Sequence, residues 1–153
     1  MLNEDYKDIL RALSDEGAEF LLVGAYAMAS HGYPRSTMHI GIWVMPSPDN
    51  ADRVLGALAR FGAPLLDLSR EDLMKAGTVF QIGVAPCRID ILTGLDGLVF
   101  SDAHARALLK DIDGITVPVL CVDDLITNKK AVGRTRDLAD VEALEALRDA
   151  PPR

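Results

Sequence analysis

Cysteine is scarce in this chain, with Cys87 and Cys121 the only two. They are too few and too far apart for a disulfide framework or a metal knuckle, so two buried, reduced thiols are expected. No apolar run approaches the roughly 20 residues that a membrane span needs. No basic-then-apolar leader opens the sequence either, so no membrane partner and a cytoplasmic address are the expectation. Basic residues are outnumbered, 16 Lys and Arg against 23 Asp and Glu, which gives a net charge of −7. Phosphate backbones are held mainly by Lys and Arg, and this balance argues against a large nucleic-acid surface. Internal repeats and linkers are also missing.

What remains is an ordinary globular composition, 49% hydrophobic and 25% charged, over 153 residues. That length suits one domain with a two-layer core. The expectation is a single domain over residues 1–150 and a tail, 151–153, that frays. Asn3 through Ser14 carries Tyr6, Ile9, Leu10 and Leu13 at helical spacing, with Gly17 as the stop. Phe20 to Val23 reads as a short strand, Ala25 to Ser30 as a short helix, and Met38 to Val44 as a second strand. Ser47 or Asp49 caps a helix that carries Ala51, Val54, Leu55, Leu58 and Phe61. Ser69 to Asp72 has the pattern of a capping box. Thr78 to Val84 and Cys87 to Leu92 form a hairpin about Ala85-Pro86. Leu95 to Ala107 has no clear period. Asp113-Gly114 joins two strands, Leu108 to Ile112 and Ile115 to Leu120. Asp123-Asp124 caps a helix that Gly133 interrupts, and Asp137 to Leu147 forms the last helix. The class is α+β with a mixed sheet.

Chemistry concentrates at three places. Gly24 ends a strand and opens a helix, where free N–H groups and the positive helix end suit a phosphate. A purely structural turn is the alternative. Strand alternation puts His39, Gly41 and Trp43 on one face of the second strand. Asp90 is flanked by Ile89 and Ile91 in mid-strand, which is costly unless the carboxylate is paired, bonded or bound to a cation. A satisfied structural aspartate is the alternative there. Lys129 and Lys130, with Arg134 and Arg136, form the basic cluster of an acidic chain. They suit an anion, or else a solvated helix face whose pairs with local aspartates contribute a few tenths of a kcal/mol each. On either view Lys129 is an exposed helix lysine whose removal is expected to cost the fold little. Nothing local calls for a bulge at Gly41, so a lost functional side chain is the simplest account of a glycine in mid-strand. His31 and His104 carry no constellation.

The run Leu21-Leu22-Val23-Gly24-Ala25, continued to Arg35-Ser36-Thr37, resembles the opening of the polymerase-β-like nucleotidyltransferase superfamily. The nearest branch is that of the minimal nucleotidyltransferases and their AbiEii-like toxin relatives. That pattern is an apolar strand, Gly-Gly or Gly-Ser, a short helix, an acidic-apolar-acidic strand and a later third carboxylate. Asp90 in Arg88-Ile89-Asp90-Ile91-Leu92 matches the third carboxylate. Asn128 to Asp140 is similar to the family's Lys-then-Arg-Asp-x-x-Asp segment. The resemblance spans about residues 20 to 145. It implies a nucleotidyltransferase fold, with helices on one side of a mixed sheet and a C-terminal helical segment. It also implies transfer of a nucleoside monophosphate from an NTP to an acceptor, with Mg²⁺. Gly24, Ala25, Arg35, Thr37, Lys129 and Lys130 would hold the nucleotide, with Ser36 in the same loop, and Asp137 and Asp140 would orient Lys129.

The acidic pair, however, reads His39-Ile40-Gly41. Mg²⁺ wants an octahedron of oxygens; Gly41 offers no side chain and His39 a nitrogen suited to softer metals. Asp90 alone does not make a two-metal site, and phosphoryl-type transfer rests on positioning and charge neutralisation. The expectation is an inactive or strongly impaired nucleotidyltransferase that keeps NTP binding. One alternative is a toxin–antitoxin or regulatory interaction module that docks a protein partner or a second copy. Another is an active enzyme that uses His39 and Asp90 with an atypical metal, on an RNA 3′ end or another acceptor.

Overall fold

The computed structural model describes residues 2–65 and 67–151. Pro152 and Arg153, the end of the tail expected to fray, lie outside the described residues. The chain opens with α1 (Glu4–Asp15), where the Asn3 side chain accepts from the Tyr6 N–H at 2.8 Å and so closes an otherwise open helix end. Tyr6, Ile9, Leu10 and Leu13 face inward from it, as the spacing predicts. Then follow β1 (Phe20–Val23), α2 (Gly24–Ser30), β2 (His39–Val44) and α3 (Pro48–Phe61). Ser47, rather than Asp49, caps α3. The short α4 (Arg70–Met74) carries the reciprocal Ser69–Asp72 capping box.

β3 (Val79–Ile82) and β4 (Arg88–Leu92) form an antiparallel hairpin. Next comes α5 (Phe100–Arg106), in the stretch that has no readable period. Only Phe100 and Ala103 of α5 are buried, so it leaves no longer stripe in the sequence. β5 (Leu108–Ile112) and β6 (Ile115–Val119) flank Asp113-Gly114 as an antiparallel pair. The last two helices are α6 (Val122–Val132) and α7 (Thr135–Arg148). At the start of α6 the cap position belongs to Cys121, which makes no side-chain cap bond. Asp123 and Asp124 lie one step inside, in the first turn, and Asp124 instead takes the Arg106 Nε–H at 3.0 and 3.2 Å. Cys87 and Cys121 are free thiols, half-buried rather than buried.

The six strands make one mixed sheet in the order β3-β4-β2-β1-β6-β5. β1 and β2 are its antiparallel centre, and each has a parallel neighbour, β6 and β4 respectively. Both central strands are almost wholly buried, and α2 packs against them. Trp43 fills the core beneath α5, its ring edge-on to Phe100 with centroids 5.2 Å apart. This register decides the site. Gly41 lies between Val23 on one side and Asp90 on the other.

Candidate functional site

At the end of β1 the backbone turns sharply into α2 through Gly24, whose φ of +70° is a left-handed value that glycine adopts without a Cβ penalty. The residue before it, Val23, has no side chain that could cap α2, so the first N–H groups of the helix stay open toward the space in front of them. α2 is only seven residues long, and its dipole is a minor contribution. That space is a cleft of about 430 Å³. His39, Gly41 and Asp90 form its strand floor, and Gly24 and Ala25 stand at its rim. Arg35, Ser36 and Thr37 close one side, and Lys129, Arg134, Arg136 and Asp140 form the opposite wall. The cleft thus gathers most of the residues singled out in the sequence. Two stay outside its lining. Lys130 is exposed and lies 4.0 Å from Glu145 on α7, and Asp137 is buried behind the wall.

The strand floor is already neutralised. Asp90 accepts two bonds from Arg88, Nε to Oδ1 at 2.9 Å and Nη2 to Oδ2 at 3.1 Å, across one step of the same strand face. The His39 imidazole stands 3.9 Å from Asp90 Oδ2. Beneath, the Tyr6 hydroxyl donates to the carbonyls of Pro86 and Arg88, at 3.2 and 3.1 Å, and steadies the strand that carries Asp90. Burial pushes the Tyr6 phenol up to about 12. Thr37 is occupied locally, its hydroxyl donating to the His39 carbonyl at 3.0 Å.

Gly41 also has a packing reason that the sequence does not reveal. A Cβ at this position would stand 3.2 Å from Val23 Cγ2 and 3.9 Å from Leu92 Cδ1. Loss of a functional side chain is therefore not the sole account of this glycine: Val23 would have to shift by a few tenths of an ångström to admit a side chain at 41. For a pair of magnesium ions the donors do not fit. The floor offers one carboxylate, already held by a guanidinium, one imidazole, and a glycine. Among the described residues no group of three or more His, Cys, Asp or Glu side chains converges as a metal site.

The helical wall is built differently. Lys129 Nζ lies 3.4 Å from Asp137 Oδ1 and 3.1 Å from Asp140 Oδ2. Arg134 Nε donates to Asp137 at 2.7 Å, and Arg35 reaches across from its loop to Asp140, 105 positions away. The Arg134 bond, and then the Lys129 charge, hold the Asp137 carboxyl below the usual range despite its burial. Lys129 is only 17% exposed. It is not the solvated helix lysine of the sequence reading, and its removal leaves two buried carboxylates short of a partner. Arg136 lines the cleft and makes no ion pair among the described residues.

Arg88, Asp96 and Asn128 escaped the sequence reading. Arg88 had a signal, since strand parity puts it on the face of Asp90. Asp96 and Asn128 line the cleft from a turn and from α6, and Asn128 donates to the Asp96 carbonyl at 3.0 Å, with no local pattern to betray it. A second, larger cavity of about 510 Å³ lies across the 35–37 loop and contains none of the strand-floor residues.

No protein-family model and no curated protein matches this chain. The fold does have a solved counterpart, the crystal structure of a candidate nucleotidyltransferase from Thermotoga maritima. It aligns with a TM-score of 0.59 over 97% of this chain and 93% of its own, at 16% identity. The chain has a nucleotidyltransferase fold. At that identity the likeness is one of fold alone.

Proposed function

We propose that the cleft binds the polyphosphate of a nucleoside triphosphate, and that the chain has little or no Mg²⁺-dependent nucleotidyl transfer. One observation carries this reading. Four cations, Arg35, Lys129, Arg134 and Arg136, line the cleft against two carboxylates, Asp137 and Asp140, which leaves the wall with surplus positive charge, while the carboxylate of the strand floor is tied to Arg88. Phosphate oxygens match guanidinium and ammonium donors. Transfer, by contrast, needs charge neutralisation at the reacting phosphate, which a lone occupied carboxylate does not organise. Arg88 instead supplies a fixed positive charge beside Asp90, so phosphates meet less repulsion there without any metal. The Gly24 turn and the loop at Arg35 support the assignment to the minimal nucleotidyltransferase branch. Long RNA is not the favoured ligand of so acidic a chain.

The test is a melting series with ATP, GTP, CTP and UTP, each with Mg²⁺ and with EDTA. A triphosphate near 100 times its Kd is expected to stabilise the fold by about 2.7 kcal/mol, in EDTA as in Mg²⁺. Arg136→Ala is the informative variant, because Arg136 is exposed and makes no ion pair among the described residues, so its loss is expected to shrink the triphosphate shift and to leave the free protein's melting point unchanged. In a labelled-NTP assay transfer is expected to be absent, and His39→Asp with Gly41→Asp to raise it when an acceptor is supplied. Robust transfer by the unaltered chain would overturn the reading.

A second reading has its own observation. Met38, Val132 and Leu138 are exposed at 65%, 37% and 52%, near the cleft mouth and along α6 and α7. Such side chains suit a docking face for a toxin–antitoxin or regulatory partner. If no triphosphate shifts the melting point, that reading replaces the first.

A further inference from the structure

We propose that the second cavity, across the 35–37 loop from the cleft, binds a nucleoside monophosphate unit, with Lys110 on its phosphate, Tyr26 on its base and the Asp111–Asp113 turn on its ribose hydroxyls. At about 510 Å³ the cavity is large enough for such a ligand. Each part of the ligand meets a group with unused capacity. Tyr26 is braced edge-on by Tyr6, ring centroids 5.5 Å apart at 87°, and its hydroxyl makes no hydrogen bond among the described residues. Burial raises its phenol, so it stays neutral and serves as a stacking surface and a donor.

Lys110 is half-buried on β5 and makes no ion pair among the described residues. An ammonium in that position is a point charge suited to a phosphate monoester. Asp111 accepts from the Gly114 N–H through Oδ1 at 2.8 Å, and Asp113 from the Leu2 N–H through Oδ2 at 2.7 Å. Each carboxylate is thereby fixed, and its other oxygen accepts no hydrogen bond among the described residues. Carboxylates take this role toward ribose in dinucleotide sites. An aromatic plate, a cation with no ion pair among the described residues and two oriented acceptors answer the three parts of a nucleotide. Ala25, Arg35, Ser36 and Thr37 line both cavities. The choice of a nucleotide rests in part on the triphosphate reading of the cleft.

The test is an NMR titration of the full-length chain, saturated with ATP in EDTA, with each nucleoside 5′-monophosphate and with a trinucleotide RNA. Saturable shifts are expected at residues 26–30 and 110–113, unchanged by Arg136→Ala. Lys110→Glu is expected to weaken them about tenfold or more, as are inorganic phosphate or a bare nucleoside in place of the nucleotide. The trinucleotide separates a free mononucleotide from a chain end, and either result upholds the site. If ATP does not bind, the same titration without it still decides the matter through its dependence on Lys110. The proposal is overturned by no saturable shift at millimolar ligand, by shifts confined to the cleft, or by equal affinity in Lys110→Glu. A melting curve checks that this variant is folded, and Lys110→Gln replaces it if not, with the same weakening expected.

Discussion

The two walls of the cleft carry charge in opposite ways. On the strand floor the ion pair is local: Arg88 and Asp90 sit two residues apart on one strand, with His39 beside them. On the helical wall Lys129, Arg134 and Arg35 converge on two buried carboxylates, and one link joins positions 105 apart. The floor pair needs nothing but its strand. The wall is held in place only when the loop after α2, the end of α6 and the start of α7 are all folded together. The proposed anion site therefore rests on the assembled wall rather than on the floor.

The sharpest way to break this contrast is Lys129→Met. It strips one partner from both Asp137 and Asp140, which are 1% and 2% exposed. Each carboxylate keeps a guanidinium, Arg134 on Asp137 and Arg35 on Asp140, so what is lost is a second charged partner of both, and a loss of about 2 kcal/mol in denaturant unfolding is expected. A loss below about 1 kcal/mol would place the wall in the class of weak surface pairs.

Tyr6→Phe sharpens the floor side. Losing the hydroxyl that supports the Arg88 carbonyl is expected to cost about 1 kcal/mol at neutral pH. Its alkaline behaviour is more specific. The folded phenol titrates at about 12 against an ordinary 10.0, so its stabilising contribution is complete below the lower value and is lost as pH rises through the upper. Denaturant midpoints measured across that window are expected to fall for the unaltered chain and to fall less for Tyr6→Phe.

Gly41→Asp is expected to destabilise by about 1 kcal/mol, because its Cβ forces Val23 to shift. Val23→Ala in the same chain should recover part of that loss, whereas the single Val23→Ala change is destabilising by itself. Additive effects in this double-mutant cycle would rule out the Val23 contact as the cause.

The smallest effect is expected from Asp90→Asn. Arg88 is a third exposed and returns to water when its partner is neutralised. A change of no more than about 1 kcal/mol should appear in the same unfolding assay. A loss as large as that of Lys129→Met would erase the distinction between the two walls.

Much of this was readable where a local rule governs. Asp113-Gly114 specifies its hairpin through turn chemistry. Strand alternation alone puts Gly41 and Asp90 on equivalent faces, and the parallel register of β2 and β4 makes them neighbours. What escaped depends on contacts the chain makes at long range or without a period. α5 buries two positions of seven, so its amphipathic stripe is too short to detect. The burial of Lys129 depends on α7 folding back over α6. Arg35 finds Asp140 only once β1, α2 and the last helix are assembled. Arg88 is the exception, because its parity with Asp90 was available and a carboxylate with a guanidinium two residues away on one face need not wait for a metal.

The contact between Val23 and Gly41 bears on descent as well as on stability. A carboxylate at position 41 meets the valine across the ladder, and trimming that valine instead leaves a gap in a buried strand. The two positions are therefore coupled in sequence space, and what is tolerated at one depends on the residue at the other.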